Sequence, residues 1–583
     1  MIPPGPFLLF DDARADGAAQ ARLYEQPADT IVAERLEEVL PALERLQVAV
    51  RGGAHAAGFI AYEAGYALDP ALLDHARKGA APLLWFGLFN GFELVDAERI
   101  LPPQDGGRAA SPQSRLERAD YLAAAEQVHQ HLLAGDFYQA NLTFGCDVAI
   151  AGDPLALYGR MRGSAEAGWG GVVRHPGGWL LSLSPEQFFT IRDGGIEAKP
   201  MKGTAVRGGT AAADVAAIEA LRNDPKQRAE NLMIVDLLRN DLARVAVPGS
   251  VEVPELFAVE TYPTLHQMVS RVTARLGPGR DAVDVLRTIF PCGSITGAPK
   301  VAAMTALRHL EPEARGAYTG SMGWIDPGGD ASFNVLIRTL ELGNGARIAR
   351  LGLGSGLVVD SVPGNEWDEC LAKGAFVTRS MPPIDLIETM RFDPHEGIVE
   401  LDRHLDRLEK ASAELGFRFD RHAARNELQA ATFGRKHVAM ARLMLSPTGV
   451  MAVEVKTIPA HAAVPLRVVL KPLPVDPSDY RLRFKTTDRD FYEEARAEGG
   501  ADETVFVGPD GKITEGTYSS VFVERDDKLL TPPLARGLMP GILRAKLIDE
   551  GRAEEADLTP ADLEDGFMVG NIVRGLIPAR LAG

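Results

Sequence analysis

The paired prolines in "TRSMPPIDLIETMR" (378–391) constrain this chain more than any other stretch. Proline lacks the N–H that a helix needs and turns the residue before it away from helical geometry. The helix-like run before Pro382 and Pro383 therefore ends there, and a new apolar pattern starts after them. A domain boundary at this point gives one unit over 1–380 and a second, of about 200 residues, over 381–583. The full 583 residues are in any case too many for one ordinary core.

At 46% hydrophobic and 24% charged residues the composition is that of a soluble globular protein. A net charge of −18 and the lack of any long Lys/Arg run argue against nucleic acid as a partner, and small molecules are the expected ligands. The start "MIPPGPFLLFDDARADG" has no basic stretch leading into a long apolar core, and no segment reaches the roughly 18 apolar residues of a membrane span, so no membrane partner and a cytoplasmic location are expected. Cys146, Cys292 and Cys370 are too few and too scattered for a disulfide framework or a zinc site and read as buried small hydrophobes.

Periodicity outlines the rest. "TIVAERLEEVLPALERL" carries apolar residues at helix spacing, and the Pro/Gly/Ser-rich segment 101–115 reads as a surface loop or linker. From 118 to 380 strands and helices interleave; "RAENLMIVDLLRNDLARV" (228–245) is apolar on most sides, which predicts a buried helix. Beyond the boundary, Leu401, Leu405, Leu408 and Leu415 share a helix face, with Gly416 placed to cap it. Strand patterns follow in "LRVVL", "DETVFVG" and "SSVFVE". Both units are therefore expected to be α/β (α+β).

Several ionisable groups stand where packing alone would not ask for them. Glu186 in "LSLSPEQFF" lies between an apolar run and two phenylalanines; a desolvated carboxyl there suits a general acid, while a solvated turn glutamate is the ordinary reading. Glu230 shares a helix face with Ile234 and Leu237, and a buried carboxylate needs a base or a metal ion. Glu366 and Glu369, three apart in "DSVPGNEWDECLAK", point the same way on a helix and with Glu230 could form an oxygen-rich pocket for Mg²⁺; a solvated acidic face is the common alternative. "GLGSGLVV" (352–359) reads as a backbone nest for a carboxylate. Lys202 in "KPMKGT" (199–204) is a solvated loop charge or a nucleophile.

Taken in order, "GDFYQANLT", "SPEQFF", "KPMKGT", "DPKQRAENLMIVDLLRNDL", "TYPTLHQMVS", "PCGSITGAPK", "RGAYTGSMGW", "FNVLIRTL", "GLGSG" and "EWDEC" resemble the chorismate-utilising enzymes, the family that holds anthranilate, aminodeoxychorismate, isochorismate and salicylate synthases. The resemblance covers nearly all of 1–380. It implies a two-sheet fold enclosing the active site, with Mg²⁺ tying a substrate carboxylate to Glu230, Glu366 and Glu369. It implies Tyr318, Arg338, Gly354, Ser355, Gly356 and Lys373 as substrate or carboxylate binders, Thr204 beside the ring and His266 in the pocket, and Glu186 as the acid for loss of the C4 hydroxyl. Two positions separate the members. Gln139 stands where isochorismate and salicylate synthases carry a water-activating lysine. Lys202 stands where anthranilate synthases usually carry a small residue in "PIAGT" and aminodeoxychorismate synthases a lysine in "PIKGT". That resemblance implies a Lys202 covalent intermediate and amination at C4. None of the three cysteines sits in the context of a glutaminase nucleophile, so ammonia is expected from a separate glutamine amidotransferase subunit.

In the second unit, Lys485 in "KTTDR" and Glu515 in "KITEGTYSSVFV" fit a pyridoxal phosphate site, although a lone lysine in a basic stretch is more often a surface residue. With "RHLDRL", "LLTPPLARGLMPGILR" and "VGNIVRGLIPA", these stretches resemble fold-type IV aminotransferases, a family that includes aminodeoxychorismate lyase. The resemblance implies Lys485 as the cofactor lysine, Glu515 at the pyridine nitrogen, Arg407 and the backbone of Ile542 and Leu543 at the phosphate, and a homodimer through the C-terminal domain. Ser520 and Leu543 replace an asparagine and a threonine frequent in that family. Together the two resemblances imply 4-aminobenzoate synthesis from chorismate for folate. The alternatives are an anthranilate synthase-like unit fused to a branched-chain or D-amino acid aminotransferase, and a chorismate-binding scaffold without activity.

Overall fold

The computed structural model describes residues 5–15, 17–75, 77, 82–261, 265–459 and 464–582. Chain contacts divide it into one unit of Met1–Pro102, Ser111–Val148 and Tyr158–Ser380 and a second of Pro103–Ala110, Ala149–Leu157 and Met381–Gly583. The segment expected to be a plain linker is thus partly structural: Gly107, Arg108 and Ala109 are buried, and Arg108 donates to the Pro382 carbonyl at 2.8 Å within the second unit. A guanidinium seeking a carbonyl overrides the loop-like composition around it.

Two large, mostly antiparallel sheets make up the first unit. Among the described residues each has ten strands within this unit, and Gly107–Ala109 of the second unit pairs with the end of Gln139–Gly152. Leu8, Val173 and Leu180 of the first meet Phe59, Trp85 and Trp324 of the second in one buried cluster, so the sheets pack face to face. Their central strands are buried on nearly every residue, as in His55–Ile60, because the sheets are covered there on both sides. "TIVA" belongs to the strand Asp29–Ala33 rather than to the helix, which begins at Leu36; its β-branched residues fit a pleated surface better than a helix turn.

The helix Pro225–Ala243 packs on the strands Met201–Val206 and Leu265–Arg275. Asp224 caps it, accepting from the N–H groups of Lys226 and Gln227 at 2.8 and 3.0 Å. It buries Asn231, Ile234, Val235, Leu238, Asp241 and Leu242 but leaves Leu232 exposed, so it is a one-faced helix and not the fully buried one its composition suggests. The "GLGSG" stretch is no loop nest either. It runs inside the strand Ile348–Leu357, between Gln139–Gly152 and Thr339–Gly343. A Cβ on Gly352 would stand 2.1 Å from the Tyr318 ring, and one on Gly354 would stand 2.8 Å from the Thr143 side chain. Side chains crossing the sheet, not turn geometry, require these glycines.

The second unit has a four-stranded sheet (Leu386–Asp393, Ala439–Leu445, Met451–Lys456 and Gly397–Ile398) with the helix Leu401–Leu415 on one face. Leu405, Leu408 and Leu415 are buried there, and Gly416 ends the helix at φ 72°. An eight-stranded mixed sheet follows, with Leu466–Pro472 parallel to both Glu503–Val507 and Gly575–Leu581. All three cysteines are free and buried. No helix among the described residues is long and apolar enough to cross a membrane.

Candidate active sites

Lys202 lies on an outermost strand of the sheet that contains His55–Ile60, and Gln139 and Gly356 lie on neighbouring strands of the other. A Cβ built on Gly356 would stand 3.1 Å from Lys202 Nζ and 2.9 Å from Gln139 Nε2. The amine therefore reaches across to bare backbone, and only a glycine leaves it room. Lys202 as a whole is half-buried, but its amine end is desolvated: burial lowers its pKa and Lys373 lowers it further by like charge, against the pull of Glu230, Glu186 and Glu369.

The acids show the same cluster from the other side. Glu186 is 6% exposed, and burial raises its pKa although Ser294, Lys202 and Lys373 all pull it down. The Ser294 hydroxyl donates to Glu186 Oε1 at 2.7 Å. Burial also raises Glu230; Glu366 and Glu369 push it up, and Lys202 and Lys226 oppose them. Gln139 is fully buried, with Nε2 at 3.4 Å from the Ser294 carbonyl and Oε1 without a partner.

On the helix Pro363–Gly374, Glu366 accepts a hydrogen bond from Ser355 Oγ, while Glu369 pairs with Lys373 at 2.8 Å. Lys373 also donates to the Gly354 carbonyl at 3.0 Å. Among the described residues no three His, Cys, Asp or Glu side chains stand together closely enough to hold a metal ion. The expected three-carboxylate pocket is thus not closed, because Lys373 takes Glu369. Its donor chemistry still suits Mg²⁺, which takes oxygen ligands: burial first, and then the charges of Glu366 and Glu369, push Glu230 up.

Four other expected residues have the following surroundings. Thr204 is exposed and donates to Gln267 Oε1 at 3.2 Å. His266 is buried, its ring nitrogens 3.0 Å from Thr261 Oγ1 and 3.1 Å from Asp214 Oδ1, so it is held between a strand and the helix Ala211–Asn223. Tyr318 packs on Gly352, and burial pushes its hydroxyl pKa up. Arg338 has φ 49°, and its carbonyl accepts from Leu183 N–H at 3.0 Å. Ser294, in "PCGSIT", was not singled out by the sequence. A hydroxyl inside an otherwise apolar and small-residue stretch was its only signal.

The second unit holds a cavity of about 850 Å³ lined by Arg407, Lys485, Glu515, Ile542 and Leu543 among others. Burial lowers the Lys485 pKa to about 7, helped by Arg407 and opposed by Glu388. Burial raises Glu515 to about 7 even though Tyr492 Oη donates to it at 2.5 Å and Met539 N–H at 3.0 Å. Arg407 donates to both oxygens of Glu388 at 2.7 Å and to the Pro540 carbonyl at 2.9 Å, which holds it beside the start of the helix Ile542–Asp549. Local sequence pattern alone does not single out Glu388. Although burial pushes its carboxyl up, Arg407 and His404 hold it far below the usual range. Its signal was a carboxylate in phase with the buried Leu386 and Met390.

These residues suit pyridoxal phosphate: a lysine near neutrality, a carboxyl with two donors on it, and a helix start flanked by an arginine for an anionic group.

Comparison with known proteins agrees with this two-part architecture. Aminodeoxychorismate synthase component 1 of Salmonella typhimurium is 42% identical over 315 residues, 54% of this chain and 68% of that protein. Anthranilate synthase component 1 of Methanothermobacter thermautotrophicus is 37% identical over 345 residues, 56% and 73% of the two chains. The crystal structure of anthranilate synthase component I from Streptococcus pneumoniae TIGR4 superposes with a TM-score of 0.54 at 22% identity, covering 65% of this chain and 93% of that one, which shows a shared fold. Residues 385–582 match the model for amino-transferase class IV. Since residues 5–379 match the model for chorismate binding enzyme, the chain belongs to the chorismate-binding enzymes and carries a class IV aminotransferase domain after that region.

Proposed function

We propose that this enzyme converts chorismate to 4-aminobenzoate in two steps, one in each unit. The observation that carries the first step is the lysine amine at 202, desolvated and set against Gly356 in one cluster with Glu186. Similarity alone does not choose the product, because relatives named for both aminodeoxychorismate and anthranilate synthesis match this region. Lys202 favours attack by the protein itself.

In the first step the neutral Lys202 amine attacks C2 of the ring diene, and the C4 hydroxyl leaves as water with the proton held by Glu186. Burial favours the reactive form of both groups, the uncharged amine and the protonated acid. Ammonia then bonds to C4 and the lysine departs from C2, giving 4-amino-4-deoxychorismate. Gln139, an amide with a free buried acceptor, supplies no basic amine to take a proton from water for a competing attack. Glu230, Glu366 and Glu369 would hold Mg²⁺ with a substrate carboxylate, the ion supplying charge for that carboxylate. Ammonia would come from a separate glutamine amidotransferase subunit.

In the second unit pyridoxal phosphate, when bound, supplies the electron sink. Glu515 would face its pyridine nitrogen, Arg407 and the Ile542 and Leu543 amides its phosphate, and Lys485 would carry it. Lys485, once free, takes the proton from C4 of the amino substrate, after which the enolpyruvyl group leaves C3 as pyruvate and the ring becomes aromatic. Replacing Lys202 with alanine tests the first step: ammonium-dependent consumption of chorismate should fall below detection, and an undiminished rate would sink the assignment.

A further inference from the structure

Tyr492 lies in the helix Asp490–Gly499, seven residues after Lys485. It is 3% exposed and packs in one apolar cluster with Leu482, Ala495 and Phe506. The Phe506 ring centre is 5.9 Å from its own, and the Arg489 guanidinium stands 4.7 Å from it. These contacts fix the ring, and its hydroxyl donates to Glu515 Oε1 at 2.5 Å. Tyr492, Glu515 and Lys485 all line the 850 Å³ cavity.

Glu515 belongs to a different element, the strand Ile513–Gly516, and its other oxygen accepts from the Met539 N–H at 3.0 Å. Among the described residues Tyr492 is the one side chain that donates to it. Two charged groups also act on Glu515: Arg489 favours its anion and Glu503 opposes it. Glu503 is itself occupied, accepting from the Thr517 and Ser519 hydroxyls at 2.5 and 2.6 Å. A buried tyrosine hydroxyl ordinarily finds some acceptor. Here the acceptor is a carboxyl on the wall of the cavity that holds the cofactor lysine.

A carboxyl that faces a ring nitrogen shares one proton with it. With the proton on the acid the pair is neutral; with the proton on the nitrogen the acid is an anion and the ring is the stronger electron sink. Burial favours the neutral pair, and each donor on the carboxyl favours the charged one.

We propose that Tyr492 is a positioning residue that places the shared proton on the cofactor ring, by donating to Glu515 and holding it as the anion. The proposal rests on the reading of this cavity as a pyridoxal phosphate site. The short segment 485–492 then supplies both the cofactor lysine and the group that sets the charge of the ring.

The test compares the full chain with Tyr492→Phe, which keeps the ring and removes the hydroxyl. Pyridoxal phosphate labelled with ¹⁵N in the ring is bound, and NMR reads the proton on that nitrogen. The unaltered protein should show a protonated nitrogen. In Tyr492→Phe the ratio of protonated to bare nitrogen should fall about 10- to 100-fold, the range for losing a hydrogen bond to a charged group. In the cofactor-free proteins, glutamate labelled with ¹³C at its carboxyl reports Glu515, whose signal is the one lost in Glu515→Gln. Its acid dissociation constant should fall by the same factor in Tyr492→Phe, so that it ionises at a higher pH than about 7.

A merely structural role would lower the melting temperature and leave both signals in place, which overturns the proposal, as does a bare ring nitrogen in the unaltered protein. Were Tyr492→Phe to bind no cofactor, the carboxyl titration decides alone. If the unaltered protein takes up no pyridoxal phosphate, the cofactor reading fails and the proposal with it; uptake with both signals unmoved in Tyr492→Phe defeats the proposal alone.

Discussion

Replacing Gly356 with alanine places one methyl group against the proposed nucleophile. The new Cβ would stand 3.1 Å from Lys202 Nζ and 2.9 Å from Gln139 Nε2, both ends of flexible side chains. Ordinary carbon–nitrogen contact needs roughly 3.5 Å, so the two must withdraw by about 0.4 Å and about 0.6 Å. Gly356 has no positive φ, so alanine suits its strand backbone. The fold should therefore survive with a stability change within about 1 kcal/mol, while the amine loses its place against the substrate. Displacements of this order cost about 10²-fold in rate when attack geometry is strict.

Gly352→Ala is the contrasting case. Its Cβ would meet the Tyr318 ring at 2.1 Å, and a packed ring does not swing aside. It should destabilise the first unit by about 1–3 kcal/mol, as overpacking does. The assay is initial-rate formation of 4-amino-4-deoxychorismate from chorismate and ammonium, alongside thermal melting. Full activity in Gly356→Ala, with an unchanged melt, would refute the idea that the amine's position at Gly356 governs the rate.

Glu186→Gln should keep the melt and the chorismate affinity but lower kcat about 10²- to 10⁴-fold, the usual worth of a general acid; a KM-only effect in steady-state kinetics would count against that role. Excess chelator should abolish chorismate turnover and added Mg²⁺ restore it, with Glu230→Gln raising the Mg²⁺ needed for half-maximal rate. Since its pKa is lowered to about 7, Lys485 in the cofactor-free protein should react with an amine-labelling reagent to half-maximum near pH 7, against about pH 10 for an ordinary lysine. The same depression means that folding releases a proton from Lys485 between about pH 7 and 10. Stability should therefore rise with pH across that window relative to Lys485→Met, and a pH-independent difference in denaturation midpoints would contradict it.

Local pattern revealed the parts of the fold whose signal is local. The leucine face of 401–415 with its glycine cap and the apolar setting of Glu186 lie within a few residues of the structure they report. What escaped depends on distant neighbours. The "GLGSG" glycines are strand residues because Tyr318, Thr143 and Lys202 cross over them, and no spacing within 352–356 carries that information. Likewise His266 is held by Asp214, a pairing set by a side chain that arrives from another element. Glu388 leaves a faint local trace, a charged residue within a mostly buried strand, and only the sheet decides which face it takes.

The most direct measurement is identification of the aromatic product after the full chain is incubated with chorismate, ammonium, Mg²⁺ and pyridoxal phosphate. Attack by Lys202 followed by elimination in the second unit predicts 4-aminobenzoate and pyruvate in equal amounts. Accumulation of 2-aminobenzoate instead would contradict the role given to Lys202 and the reaction built on it.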